Sequence, residues 1–368
     1  MVNLTKKKTL LVIGPASSIL IRQRVAMLAK LDYRLNWYSQ VAGDGDVAPT
    51  FTRLTNARLL GTPLELVQIL IVLMWVRPSA VHVFYAKNRW LNLLLALHPR
   101  LVVTVMGSDI SAQTVEAGTL DFYLVRLLLR RAVRITSKSA YMDSTLQRFD
   151  VPTEKILRLT WGIDIEKFRL GIDSKPLRSR LGIAADTVVL FSLRACKPLY
   201  QHELVLRALA VFARRVPNVV LLVSTMGAVE SYLCGLQRLA KELGIDGQVV
   251  FLPAIDNNDM PLFYSLADAV ISVPLSDGMP QSIYEAMACG CFHILGNLQQ
   301  YHEVVRQGES GLYVELDDEA GLAEAFAWVV EYRDFLRDQE GRIRSGILPL
   351  VDQEIQQQVL HNLYAALT

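Results

Sequence analysis

The sequence predicts an α/β protein with two doubly wound domains, each built around a parallel sheet. Its 368 residues are too many for one ordinary hydrophobic core. Short aliphatic runs such as residues 9–14 alternate with longer helical patterns such as residues 18–31, and the alternation begins again at residue 187. This rhythm is typical of βαβ units, and therefore of parallel sheets.

The boundary between the two domains is predicted near residue 172. The stretch around it has no hydrophobic period and carries several chain-breaking residues, namely Gly162, Gly171, Pro176 and Gly182. We therefore expect an N-terminal domain over 1–172, a C-terminal domain over 173–348, and a final helix over 349–368 packing back on the first domain. Ligands bind beyond the carboxyl ends of such strands, so we expect a site in a crevice between the domains.

The composition excludes several classes of protein. With 52% hydrophobic and 20% charged residues, the chain has enough apolar surface to fold compactly. A net charge of +2 argues against a nucleic-acid partner. The four cysteines do not form a disulfide framework for a chain of this size, and Cys289 and Cys291 lack the second pair that a zinc site would need. These features predict a cytoplasmic protein.

The most lipid-like segment is residues 63–78. Its apolar run carries Glu65 and Gln68 and falls short of the ~20 residues that cross a bilayer. Two interpretations remain open, a helix buried between the sheet and its neighbours and a helix lying on a membrane surface. The basic residues Arg126, Arg130, Arg131 and Arg134 either support peripheral contact with the inner membrane or line a solvated helix face.

The most informative motif is SDGMPQSIYEAMACG, residues 276–290, which follows an apolar strand. Pro280 stands where a helix would begin. A ligand at the positive end of the helix dipole would meet the free backbone N–H groups of Gly278, Met279, Gln281 and Ser282. Pro280 lies among them but has no N–H group. Asp277 and Glu285 could both point at that ligand, and carboxylates suit sugar and ribose hydroxyls.

This motif resembles the E-x7-E signature of the retaining glycosyltransferase family 4, the glycosyl transferases group 1, usually written EG-x-P-x4-EAMA-x-G-x-P. The resemblance implies that Glu285 binds the ribose hydroxyls of a nucleotide sugar, and that Asp277 and the backbone of Gly278 to Pro280 bind its sugar. Asp277 stands where the family usually has glutamate. Cys291 and Phe292 stand where proline and valine often follow.

Four further stretches resemble the same family in order along the chain, at residues 17–39, 101–110, 154–168 and 249–274. Together with the signature they imply a GT-B fold, in which two Rossmann-like domains face a central cleft. They also imply a donor bound mainly by the C-terminal domain and an acceptor bound by the N-terminal one.

The diphosphate of the donor needs positive charge, which the family usually provides after the first strand of the second domain. Arg194 matches that arginine, and a guanidinium fork suits phosphate oxygens. Lys197 lies closer to Arg194 than the family spacing, and Tyr200 partly occupies the usual lysine position. Both cations could instead belong to a plain surface loop. In this family the base is bound by backbone atoms, here expected near Leu252 and Pro253.

In the N-terminal domain, Gly14 opens the loop after the first strand. The loop lacks the G-x-G-x-x-G fingerprint, which argues against a dehydrogenase. By resemblance Gly14 lies near the diphosphate and acceptor, although a plain strand-to-helix turn also explains it. Asp109 is predicted to accept from the donor sugar or the acceptor hydroxyl, with a helix N-cap as the alternative. His82 is a further candidate near the acceptor or a structural histidine.

We therefore predict a retaining hexosyltransferase that moves sugar from a nucleoside-diphosphate donor, with UDP taken from family frequency, to a hydroxyl of a surface glycan or lipid-linked saccharide. Asp109, Arg194, Lys197 and Asp277 are the candidate catalytic residues. No cofactor and no metal are expected, because no Asp-x-Asp motif follows a strand. One alternative is a non-catalytic nucleotide-sugar-binding or scaffold protein. Another is a sugar epimerase or phosphorylase with a similar fold. Alanine at Arg194 or Glu285 is expected to remove turnover and leave the fold intact.

Overall fold

The computed structural model describes residues 7–41, 48–54 and 61–367. Within it the chain divides into two compact units. Unit 1 comprises Met1–Gly162 and Glu354–Thr368, and unit 2 comprises Ile163–Gln353.

Unit 1 contains a parallel sheet of seven strands with the order β3-β2-β1-β4-β5-β6-β7. Its elements in chain order are β1 (Lys8–Ile13), α1 (Ile19–Ala29), β2 (Tyr33–Ser39), β3 (Phe51–Thr52), α2 (Gly61–Val76), β4 (Ala80–Phe84), α3 (Leu91–Leu95), β5 (Leu101–Thr104), α4 (Leu120–Arg131), β6 (Arg134–Ser137), α5 (Ala140–Leu146) and β7 (Ile156–Arg158). The strand order reverses between β1 and β4. In doubly wound sheets a reversal of this kind opens a crevice at the carboxyl ends of the two strands.

Unit 2 contains a parallel sheet of six strands with the order β10-β9-β8-β11-β12-β13. Its elements are α6 (Lys175–Arg180), β8 (Val188–Ser192), α7 (His202–Ala213), β9 (Val219–Ser224), α8 (Glu230–Glu242), β10 (Val249–Leu252), α9 (Met260–Leu266), β11 (Ala269–Ser272), α10 (Gln281–Ala288), β12 (His293–Gly296), β13 (Gly311–Val314), α11 (Glu319–Glu331) and α12 (Arg333–Val351). Here the order reverses between β8 and β11. The last helix of the chain, α13, spans Gln353–Ala365.

Alternating residues of the first strand place a core on each face of the unit 1 sheet. Leu11 and Ile13 pack in a cluster with residues of α2, α3, α4 and α5, whereas Leu10 and Val12 pack in a second cluster with residues of α1. The second cluster also contains Leu360, Leu363 and Tyr364 of α13. The C-terminal helix therefore belongs to unit 1.

The first unit ends at Gly162, whereas the sequence places the boundary at residue 172. The backbone N–H of Ile163 donates to the carbonyl oxygen of Val351 at 2.6 Å, and Phe168 lies in the core of unit 2. These contacts join residues 163–172 to unit 2. The other end of unit 2 lies later than predicted, at Gln353 rather than at residue 348, because α12 continues to Val351.

The helix predicted over residues 63–78, which is α2, is not enclosed by protein. Glu65, Ile69 and Val72 are buried, but an apolar row on the other side of the helix is exposed. That row consists of Leu64, Val67, Leu70, Ile71, Met74 and Trp75. Burial between sheet and helices is therefore the wrong interpretation of this segment. No helix in the described ranges is long and apolar enough to cross a membrane.

Candidate functional site

The candidate site in unit 2 lies where the strand order reverses. Arg194 follows the end of β8, and Asp277 follows the end of the neighbouring strand β11. The fold therefore brings together two residues that are far apart in sequence, at the edge where parallel sheets bind ligands.

Arg194 and Asp277 form a buried ion pair. Arg194 Nη2 lies 3.0 Å from Asp277 Oδ2, and each side chain is only 9% exposed. The guanidinium also stacks 4.5 Å from the centre of the Tyr200 ring. Burial alone would lower the pKa of Arg194, but the Asp277 carboxylate raises it, so the charge is held firmly. Arg194 Nη1 is buried and makes no hydrogen bond in the part of the chain that the structure describes.

Asp277 is fixed through both its side chain and its main chain. Its Oδ1 accepts from the Gly278 backbone N–H at 2.7 Å, and its Oδ2 accepts from the Tyr301 hydroxyl at 2.7 Å. Its carbonyl oxygen accepts from Gln300 Nε2 at 2.7 Å. The prediction that the Gly278 amide is free for a ligand is therefore wrong, because Asp277 already uses it.

The turn between Asp277 and α10 has an unusual backbone. Met279 is buried with φ = +62°, a left-handed conformation that is strained for a residue with a side chain. Pro280 is the extended residue before the helix, and Gln281 and Ser282 form its first turn. The proline therefore lies one position earlier than a first helical residue. The N-terminus of α10 still lies next to Asp277, so its dipole favours negative charge there.

Glu285 lies in the second turn of α10. Its Oε2 accepts from the Tyr264 hydroxyl at 3.3 Å. Burial raises the pKa of Glu285 to about 7, although Tyr264, Lys167 and Asn257 oppose that rise. The carboxyl group is thus poised to change charge near neutral pH, which is typical of functional positions.

Neither Lys197 nor the predicted base-binding residues take part in the buried pair of Arg194 and Asp277. Lys197 is exposed, and its side chain makes no hydrogen bond or ion pair within the described ranges. Leu252 is buried with its carbonyl oxygen accepting from the Thr225 N–H at 2.8 Å, while Pro253 is exposed. The roles proposed for these residues stay predictions.

His202, at the start of α7, holds the loop that carries Arg194. One ring nitrogen lies 3.2 Å from Ser192 Oγ, and the other lies 3.0 Å from the Ala195 carbonyl oxygen. Burial lowers the pKa of His202, which favours its neutral form. The loop between β8 and α7 is therefore closed by a histidine that the sequence did not single out.

Unit 1 has a cavity of about 270 Å³ at its own strand-order reversal. Gly14 after β1, Tyr85 after β4 and Asp109 after β5 all line it. A Cβ atom on Gly14 would lie 3.1 Å from Phe84 Cβ, so glycine permits this close approach. This cavity thus contains two of the three unit 1 residues predicted from sequence, Gly14 and Asp109.

The Asp109 carboxylate is engaged by the backbone. Oδ2 accepts from the Ala86 N–H at 2.6 Å, and Oδ1 accepts from the N–H groups of Met106 and Gly107 at 2.8 and 2.9 Å. Burial raises the pKa of Asp109, while these amides oppose the rise. The contacts seen here are those of a residue that holds a turn, and its catalytic role stays a prediction.

His82 belongs to a buried structural network. Its ring nitrogens lie 2.6 Å from the Tyr364 hydroxyl and 2.7 Å from Thr104 Oγ1. Burial lowers its pKa to about 3, so the ring is neutral. Of the two interpretations of this residue, the structural one fits, because the network ties α13 to the sheet.

Besides His202, sequence reasoning missed two buried groups, Tyr301 and Arg24. Tyr301 contacts Asp277 but has no motif position of its own. Arg24 of α1 is fully buried, contacts Met106 Sδ and stacks 5.2 Å from the Trp161 ring, and its Nε and Nη2 have no hydrogen-bond partner in the described residues. No group of three or more His, Cys, Asp or Glu side chains in those ranges could hold a metal.

Comparison with solved structures identifies the fold. The fold resembles the sucrose-phosphate synthase of Thermosynechococcus elongatus, with a TM-score of 0.82 and 18% identity over 98% of this chain and 99% of that one. Two Rossmann-like parallel-sheet units with this likeness form the GT-B fold. The fold predicted from the motifs is thereby confirmed.

The sequence comparisons point to the family. Residues 173–344 match the family described as Glycosyl transferases group 1. The D-inositol 3-phosphate glycosyltransferase of Saccharomonospora viridis is 31% identical over 66% of this chain and 58% of its own length. A GDP-mannose-dependent alpha-(1-6)-phosphatidylinositol monomannoside mannosyltransferase of Mycolicibacterium smegmatis is 29% identical over 55% of each chain. The chain thus spans little more than half the length of these relatives. The predicted resemblance to group 1 glycosyltransferases is confirmed.

Proposed function

We propose that the chain is a retaining glycosyltransferase that moves a hexose from a nucleoside-diphosphate donor to a hydroxyl acceptor. The observation that carries the proposal is the Arg194–Asp277 pair beside the N-terminus of α10, with Glu285 on the same helix. Cations and a helix N-terminus suit a diphosphate, and a carboxylate suits ribose hydroxyls. Unit 2 binds the donor, and the cavity of unit 1 binds the acceptor.

The reaction follows a front-face path in this proposal. The bond between the anomeric carbon and the leaving phosphate oxygen breaks, a bond to the acceptor oxygen forms on the same face, and the acceptor proton passes to the leaving phosphate. Arg194 Nη1, Lys197 and the α10 N-terminus stabilise the charge that develops on the nucleoside diphosphate. The reaction needs no metal ion and no cofactor, since the donor is itself the substrate.

The donor and acceptor classes are also part of the proposal. UDP-hexose is the first donor to test. Because one relative carries GDP-mannose in its name, GDP-sugars come second. The proposed acceptor is a hydroxyl of a lipid-linked saccharide or surface glycan, made at the cytoplasmic face of the membrane.

The experiment that tests the function has two stages. A thermal-shift screen of UDP-, GDP- and ADP-sugars finds the donor, and nucleotide release with membrane lipid extracts then measures transfer. We expect one base to stabilise the protein, and release that depends on the acceptor. Stabilisation without release from any donor would instead favour the scaffold alternative.

We further propose that α2 and its neighbours rest on an anionic membrane surface. The exposed apolar row of α2 lies on the same face of the sheet as Trp90, Leu93 and Leu97 around α3. The single acidic residue of α2, Glu65, is turned inward and pairs with Arg53. Five exposed arginines lie near the amino ends of β4, β5 and β6, namely Arg77, Arg100, Arg130, Arg131 and Arg134. Apolar side chains with a basic border complement anionic headgroups.

Replacing an apolar side chain of α2 should weaken this membrane contact. Ile71→Ser and Met74→Ser change residues that are 54% and 58% exposed, so neither should perturb the core. We expect each to lower binding to phosphatidylcholine–phosphatidylglycerol vesicles about five- to tenfold in sedimentation assays, because each removes apolar area from the contact.

The matched control is Ile355→Ser in α13. Ile355 is 47% exposed, and α13 packs on the opposite face of the same sheet. The Ile355→Ser variant should bind vesicles as tightly as the unsubstituted protein does. Equal loss in all three variants, or no binding to anionic vesicles by the unsubstituted protein, would contradict the proposed surface.

A further inference from the structure

The carboxylate of Asp277 has little capacity left for a ligand. Two ionised oxygens offer about four acceptor positions. Gly278 N–H, the Tyr301 hydroxyl and Arg194 Nη2 take three of them. With 9% of the side chain exposed, the remaining position faces protein more than solvent. These contacts hold the Asp277 carboxylate in place as the counter-charge of Arg194.

Tyr301 is built to hold that counter-charge. It lies in the 3₁₀ turn Gln299–Glu303 after β12, and it is completely buried. Burial and the Asp277 charge raise the pKa of its hydroxyl, which therefore stays protonated and donates. The side chain of the adjacent Gln300 donates a hydrogen bond to the backbone carbonyl oxygen of the same aspartate. One short turn thus fixes Asp277 through both its side chain and its main chain.

The fixed carboxylate in turn orients Arg194. Asp277 takes the Nη2 side of the guanidinium, and the Tyr200 ring covers one face. Nη1 is the terminal nitrogen that remains buried without a partner in the described residues. A buried donor of this kind is unfavourable unless a ligand satisfies it. An unpaired guanidinium nitrogen suits a phosphate oxygen.

We propose that Asp277 is a positioning residue, locked by Tyr301, that aims Arg194 at the diphosphate, and that it does not bind the donor sugar. The proposal rests on the proposed function, because it takes a nucleoside diphosphate as the ligand of Arg194. It replaces the sugar-binding role that the motif implied for Asp277. Choice among hexoses then lies with other groups of the site.

Binding of the nucleoside diphosphate without its sugar separates the two roles. In Tyr301→Phe the ring stays and one hydrogen bond to Asp277 is lost. We expect its affinity for the nucleoside diphosphate found in the donor screen to fall about fivefold by calorimetric titration, because the carboxylate that orients Arg194 is then held by one hydrogen bond fewer. The affinity for the complete nucleotide sugar should fall by the same factor, because the defect lies at the phosphate.

Asp277→Asn should show the same pattern with a larger loss, about tenfold or more for both ligands, because a neutral amide orients Arg194 less firmly than a carboxylate does. The control is Tyr232→Phe, which removes a comparable bond from a tyrosine to the Glu203 carboxylate. That variant should bind both ligands normally. If Asp277→Asn misfolds, Tyr301→Phe alone decides.

Two results would overturn the inference in different ways. Should both variants bind the nucleoside diphosphate normally and lose affinity only for the nucleotide sugar, Asp277 is a sugar ligand and the positioning role is wrong, although the proposed function stands. Should the unsubstituted protein bind no UDP, GDP or ADP at all, the proposed function fails and the inference fails with it.

Discussion

Replacing Arg194 with alanine is expected to abolish nucleotide release and to lower the free energy of unfolding by about 3–5 kcal/mol, the usual effect of removing one partner from a buried ion pair. The Asp277 carboxylate would be left buried without its cation. The buried pair therefore predicts a loss of stability that the sequence alone did not indicate. Chemical denaturation and a release assay measure the two effects.

A second variant separates activity from stability. Arg194→Lys keeps a positive charge beside Asp277 and should recover most of the lost stability. It lacks the planar fork, so release should remain at least about tenfold below normal. Arg215→Ala is the control, because Arg215 forms an exposed pair with Glu324 and should change neither measurement. Normal release by Arg194→Ala would refute the site.

Nucleotide affinity is expected to rise with pH between about 6 and 8. The pKa of Glu285 is raised to about 7 by burial, so its carboxyl group is largely protonated below that pH. Ribose hydroxyls donate to the ionised form. Ligand binding therefore favours ionisation and releases a proton, and the dissociation constant should fall up to about tenfold per pH unit below 7 and level off above it. Calorimetric titration across this range measures the trend.

Glu285→Gln should remove this pH dependence and weaken binding about ten- to a hundredfold, the loss of a charge-assisted hydrogen bond. The control is Glu340→Gln. Glu340 packs against Gly290 at the far end of α10, and burial raises its pKa as well. That variant should keep both affinity and pH dependence. A pH profile that survives in Glu285→Gln would show that another group titrates.

Much of the fold could be predicted from sequence because its signals are local. The alternation of short apolar runs and amphipathic stretches predicts both parallel sheets, and the structure contains them. The motif over residues 276–290 predicts a strand, a turn and a helix start, since proline and glycine limit the backbone within a few residues. Arg194 was predicted through the family resemblance, as the arginine that follows the first strand of the second domain.

Only the tertiary structure shows which residues that are distant in sequence contact each other. Tyr301 is 24 residues from Asp277 and carries no pattern that marks it, yet it donates to that carboxylate. The Asp109 carboxylate binds the Ala86 amide, which lies on another strand end. A sequence records which groups can donate or accept, whereas packing determines which of them meet. The motif could therefore indicate that Asp277 belongs to the site, and only the folded chain could show that its oxygens are taken by Arg194, Gly278 and Tyr301.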